Sequence, residues 1–143
     1  MSFFITTPIY YVNDVPHIGH AYTTIACDIF SRFNKLKNED TFFLTGTDEH
    51  GQKVEKAALA QNKDTQIFVD EMSNNFRELV PYLGCDNDDF IRTTDKKHIS
   101  AAQFLWNKLK SNNQIYLSNY EGWYSIRDEA FYQESELTKT ENE

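Results

Sequence analysis

Cysteine is scarce, with Cys27 and Cys85 alone among 143 residues and no C-x-x-C pairing. A disulfide framework is thereby excluded, and both residues read as reduced thiols, one on a helix face and one at a turn. Glycine and proline are equally sparse, at five and three, and there is neither an internal repeat nor a low-complexity stretch, so no repeat array is encoded. Basic residues number 14 against 22 acidic ones, a net charge of −8. The chain therefore lacks the basic face that broad binding to nucleic-acid phosphates requires. Long apolar runs are missing too. The opening MSFFITTPIYYV has no basic segment ahead of it, contains Pro8 and soon meets Asn13 and Asp14, so it reads as neither a signal peptide nor a membrane span. The expected location is cytoplasmic.

What is present, 40% hydrophobic and 15% aromatic residues, suits one globular domain with a real core. Phe3 to Tyr11 is β-branched and aromatic with little alternation, as in a strand buried on both faces of a parallel sheet, and Asn13 to Pro16 breaks it. From Gly19 to Leu36, Tyr22, Ile25, Ala26, Ile29, Phe30, Phe33 and Leu36 recur at helical spacing and read as the core-facing stripe. Asn38 to Asp40 is a turn and TFFLT (41–45) a second buried strand, giving a βαβ unit and an α/β fold. Further helices follow at Gln52 to Gln61, at Thr65 to Leu83 with a Phe68, Met72, Phe76, Leu79, Val80 and Leu83 stripe and Gly84 as a left-handed cap, and at Asp95 to Leu109 with Ile99, Ala102, Leu105, Trp106 and Leu109 inward. Between the last two, Asp86 to Asp89 reads as a solvated acidic loop and Phe90 to Thr93 as a brief strand. After Gln114 the texture changes to short aromatic segments, IYLSNY, EGWYSI and EAFYQ, which read as a small antiparallel meander.

The chemistry concentrates at two strand ends. The five residues PHIGH (16–20) join the first strand to its helix, where unpaired N–H groups and the helix dipole favour an anion. His17 and His20, three apart on the opening turn, share a side of the helix and suit one phosphate group. Gly19 lets a nucleotide approach the backbone, and Pro16 stands where no N–H is required. After the second strand comes TGTDEHG (45–51), with Asp48, Glu49 and His50 in a row. Ligands collect at the carboxyl ends of parallel strands, so Asp48 faces the same crevice; read more plainly, it is the N-cap of the next helix. His17, His20 and His50 as zinc ligands form a minor alternative.

The strings TPIYYVNDVPHIGHAYTT and TGTDEHG resemble the two leading sequence blocks of class I aminoacyl-tRNA synthetases, and within that class those of the methionyl-tRNA synthetases. The resemblance implies the first half of a Rossmann-type (HUP-like) sheet over residues 1–113, followed from 114 to 143 by the start of a connective peptide insertion. It implies that Pro16, His17, Gly19 and His20 hold ATP, supplied with Mg, and that His17 and His20 are catalytic. Asp48 would take the methionine α-amino group, and Ile9 and Tyr11 would line the thioether pocket, a plain core role being the rival reading for Tyr11. The implied activity is ATP-dependent activation of L-methionine and its transfer to tRNA(Met), met here at the acceptor end. Alternatives are another H-x-G-H nucleotidyltransferase or an inactive nucleotide-binding remnant. Many such synthetases carry a zinc knuckle where this chain has Ser125 and Asp128; a serine hydroxyl is a poor zinc ligand, so no structural zinc is expected. The chain ends in the polar LTKTENE, before any KMSKS-like lysine loop, and alone is expected to be inactive.

Overall fold

The computed structural model describes residues 2–138; the polar tail from 139 onward lies outside them. The elements run β1 (Ser2–Thr6), β2 (Tyr10–Tyr11), α1 (Ile18–Leu36), β3 (Asp40–Asp48), α2 (Gln52–Ala60), α3 (Thr65–Tyr82), β4 (Asp89–Arg92), α4 (Lys96–Ser111), β5 (Trp123–Ser125) and β6 (Ala130–Tyr132). The chain divides into two compact units, one ending at Gln103 and one beginning at Phe104.

The first unit is a parallel sheet with β3 at its centre. β1 pairs along its first half, Ser2 opposite Asp40 through Thr6 opposite Leu44, and β2 along its second, Tyr10 opposite Thr47 and Tyr11 opposite Asp48. On the other side β4 pairs from Asp89 opposite Leu44 to Arg92 opposite Thr47. The first strand thus holds one residue more than β3 between its two paired segments, and Pro8, without an N–H to give, sits in that interruption. The single strand expected over Phe3 to Tyr11 is therefore two. Nor is it buried on both faces: Phe4 is 60% exposed and stacks on Phe42, ring centroids 6.0 Å apart, on an uncovered face.

β3 outruns its expected end at Thr45 by three residues. With Asp48 read as the N-cap of the next helix, the strand was expected to stop short of it, but Gly46 and Thr47 each have a reason to be in the strand. A Cβ on Gly46 would lie 2.0 Å from the Ile91 carbonyl oxygen, so the approach of β4 demands glycine. The Thr47 hydroxyl is buried yet bonded to Glu49 and Ser73. Asp48 therefore ends a strand and caps no helix: the N-cap of α2 is Gly51, at φ 121° and with no side-chain cap bond.

A core of Tyr10, Val12, Val54, Ala58, Phe68, Val69, Phe76 and Phe90 joins the sheet to α2 and α3, with Met72 packed against it. The α3 stripe faces inward as its periodicity predicts, Phe68, Phe76 and Val80 buried and Met72, Leu79 and Leu83 half-buried, and α3 is fastened at both ends. Asp64 accepts the Gln66 and Ile67 N–H groups, while Gly84, at φ +69°, and Cys85 return their N–H groups to Pro81 and Val80 in a Schellman closure.

α1 reverses expectation. Its buried residues are Ala21, Thr24, Cys27, Asp28, Ser31 and Asn34, while Tyr22, Ile29, Phe30, Phe33 and Leu36 are exposed. Small and hydrogen-bonding side chains let this helix lie close to the strands. The Cys27 thiol points at the Thr6 carbonyl oxygen, 3.7 Å away, and Asp28 accepts the Asp86 N–H at 2.8 Å. The acidic loop is accordingly no solvated turn, because Asp88 also binds both backbone groups of Phe43.

None of α4 is buried; Ile99, Leu105, Trp106 and Leu109 are exposed, against the inward placement their spacing suggested. Periodicity marks a face that favours cover but supplies no partner, and the sheet here takes its helical cover from α1, α2 and α3. In the second unit β5 and β6 form an antiparallel pair around a turn at residues 126–129. Among the described residues the IYLSNY segment forms no strand, with Leu117 fully exposed, and the Tyr120 ring lies 4.9 Å from that of Phe131. The Ser125 hydroxyl donates to the Asp128 carboxylate at 2.7 Å. Among the described residues no helix is long and apolar enough to cross a membrane.

Candidate active site

The carboxyl ends of β2, β3 and β4 lie side by side and carry Tyr11, Asp48 and Arg92. From the first, the chain turns through Val12 to Asp14 into PHIGH. Tyr11 and Asp48 are register partners, and the Val12 N–H donates to the Asp48 carbonyl at 3.4 Å, so β2 and β3 end together. Both side chains are half-buried. Lys53, on the first turn of α2, lies over the Tyr11 ring at 5.8 Å. Ile9, in the strand interruption, is 42% exposed.

PHIGH is built from its own backbone. His17 is the N-cap of α1 in extended conformation, and its Nδ1 accepts the Gly19 N–H at 3.1 Å. In return the His17 N–H donates to Nδ1 of His20 at 3.0 Å, which makes a capping box from two imidazoles. Their rings lie 3.9 Å apart. A Cβ at Gly19 would come within 2.9 Å of the His17 ring, so this position is glycine as much for the cap as for any ligand. Because each Nδ1 accepts a backbone N–H, each neutral ring must carry its proton on Nε2. Two Nε2–H donors are thus set at the positive end of a 19-residue helix.

His20 is further fixed from beneath. Its ring meets Tyr10 edge-on at 4.8 Å and Phe76 at 5.0 Å, while the Tyr10 hydroxyl donates to its carbonyl and bonds Thr24. Burial against these rings, and then the neighbouring His17, hold the His20 imidazole below its usual pKa, in the neutral form that the cap needs. Tyr10 is thus a support for the site as well as core.

Sequence reasoning missed the network beside Asp48. The Glu49 side chain is fully buried and accepts from Arg92 Nε at 2.7 Å and Nη2 at 2.9 Å, from the Thr94 hydroxyl at 2.5 Å and from the Thr47 hydroxyl at 2.7 Å. Arg92 Nη2 also reaches Asp70 of α3. Burial pushes the Glu49 carboxyl up, but hydrogen bonds from Arg92, Thr94 and Thr47 more than offset it and leave it below the usual range. Arg92 is raised in turn, chiefly by its bonds to Glu49. A signal existed in the row of three ionisable residues, but nothing in the local pattern pairs residue 49 with residue 92. His50 makes one long contact, 3.4 Å from Nε2 to the Thr93 carbonyl. Among the described residues no three histidine, cysteine or acidic side chains gather to hold a metal, so the structure does not assemble the zinc set His17, His20 and His50.

Residues 3–141 match the family model of class I tRNA synthetases (M). Methionine–tRNA ligase of Rickettsia bellii is 59% identical over 137 residues, covering 96% of this chain and 27% of that protein. The Thermotoga maritima ligase is 51% identical, with 97% and 22% covered. Among solved structures, Mycobacterium tuberculosis methionyl-tRNA synthetase bound by methionyl-adenylate superposes with a TM-score of 0.93 at 45% identity, covering 99% of this chain and 28% of that one. A LeuRS of Agrobacterium radiobacter, at a TM-score of 0.75 and 18% identity, shares the fold. The chain belongs to the class I tRNA synthetase family, and it spans about a quarter of the length of the relatives it matches.

Proposed function

We propose that this chain carries the ATP- and methionine-binding part of a methionine–tRNA ligase, with residues 1–113 in the Rossmann-type catalytic domain and 114–143 opening its connective insertion. The observation that carries the reading is the imidazole capping box, whose backbone bonds occupy both Nδ1 atoms and leave two Nε2–H donors outside the cap at a helix N-terminus beside the strand ends. The methionine carboxylate attacks the α-phosphorus of Mg-ATP, pyrophosphate leaves, and a ribose hydroxyl at the tRNA acceptor end then takes the methionyl group. No protein nucleophile is required. His17 and His20 donate to phosphate oxygens whose charge grows in the transition state, and Pro16 and Gly19 keep the turn open to the nucleotide.

Asp48, at the end of β3, pairs with the substrate ammonium, while Tyr11 beside it and Ile9 on the interrupted strand form apolar walls for the thioether. The identified relatives are ligases of this kind, which supports methionine and tRNA(Met) over the wider class of H-x-G-H nucleotidyltransferases. The test is methionine-dependent pyrophosphate exchange by a full-length ligase carrying this segment. His17→Ala or His20→Ala should each raise the barrier to adenylate formation by about 2–4 kcal/mol. A change confined to methionine affinity would count against the phosphate role.

A further inference from the structure

The Glu49–Arg92 pair has no step of its own in that chemistry. A buried ion pair typically gives no more stability than a well-packed apolar replacement would. Its effect is geometric. Thr47 and Glu49 bond each other, so they share one side of the chain and Asp48 between them turns to the other. The two peptide groups flanking the Asp48 Cα are both tied to Thr93: the Thr47 carbonyl accepts the Thr93 N–H at 3.2 Å, and the Glu49 N–H donates to the Thr93 hydroxyl at 2.9 Å. Thr93 is held in place because its neighbours Arg92 and Thr94 both clasp the Glu49 carboxylate. Asp70 anchors Arg92 to α3, and Ser73 of the same helix bonds Thr47.

We infer that the Glu49–Arg92 pair, acting through Thr93 and Thr94, is a positioning element that fixes the backbone of Asp48 and so sets the ligase's affinity for the α-ammonium of its amino-acid substrate. The inference rests on the proposed role of Asp48. It separates the two substrates, because the imidazole turn proposed for ATP is built from its own backbone and, among the described residues, shares no hydrogen bond with this network.

The experiment measures KM for methionine and for ATP separately, by pyrophosphate exchange, in a full-length methionine–tRNA ligase carrying this segment. Glu49→Gln keeps the shape and loses the charge; it should raise the methionine KM about tenfold and leave the ATP KM within about twofold. Thr94→Val removes one donor, leaves the ion pair intact to hold the fold, and should raise the methionine KM by about threefold. Arg92→Lys should retain part of the affinity. A structural role alone would lower Tm and the fraction of active enzyme with both KM values unmoved, and that result overturns the proposal. Asp48→Asn is run alongside. If it raises the methionine KM while folded Glu49→Gln and Thr94→Val do not, the positioning role fails and the Asp48 assignment stands. If Asp48→Asn itself leaves the methionine KM unchanged, both fail.

Discussion

Helices α1 and α3 carry equally regular apolar stripes, and the fold uses them in opposite ways. α3 buries its stripe, with Phe68, Phe76 and Val80 in the core. α1 turns Phe30 and Phe33 outward and packs through Thr24, Cys27, Asp28 and Ser31. One helix is held by apolar area and the other by close approach and hydrogen bonds. An amphipathic pattern thus locates a stripe without saying what it meets, since a small polar face lets a helix sit nearer a sheet than a row of phenylalanines does.

The contrast breaks most sharply at Phe76. Phe76→Ala should cost about 3–5 kcal/mol in urea unfolding of the chain, because it empties a fully buried site against Tyr10 and His20. On α1 the costly position is polar. Asp28→Ala should lose about 2 kcal/mol by stripping the Asp86 N–H and Arg32 of their acceptor.

pH tests the place where the two helices meet, the His20 ring against Phe76. The folded state holds His20 below its ordinary value of 6.5, so the unfolded chain binds its proton more readily. That stability is complete above pH 6.5 and is lost as pH falls below it, whereas the part due to Glu49 goes only below its ordinary 4.5. Unfolding free energies at pH 7.5 and 5.5 should differ, and less so in His20→Gln.

Smaller still, Phe30→Ala should change stability by no more than about 0.5 kcal/mol, since the ring is 57% exposed. A loss as large as that at Phe76 would mean that the outer face of α1 is covered in solution. Ser31→Ala should be neutral or slightly stabilising, because its buried hydroxyl has no hydrogen-bond partner among the described residues.

Elements whose signals are local could be read from the chain's residues alone. The helix stripes, the cap at Gly84, the break after Tyr11 and the strand-to-helix turn at PHIGH all follow from spacing, backbone freedom and unpaired N–H groups within a few residues. The two strings that resemble methionyl-tRNA synthetases carried the family, because they pack many specific residues into short stretches. Which face of α1 is buried, how far β3 runs, that Asp48 ends a strand and that Glu49 pairs with Arg92 emerged with the folded chain. Each of these depends on a neighbour distant in sequence: Ile91 crowding Gly46, Asp86 reaching Asp28, Thr93 pinning the peptides beside Asp48. Local patterns state what a segment can offer, and a partner 40 or more residues away settles which offer is taken up.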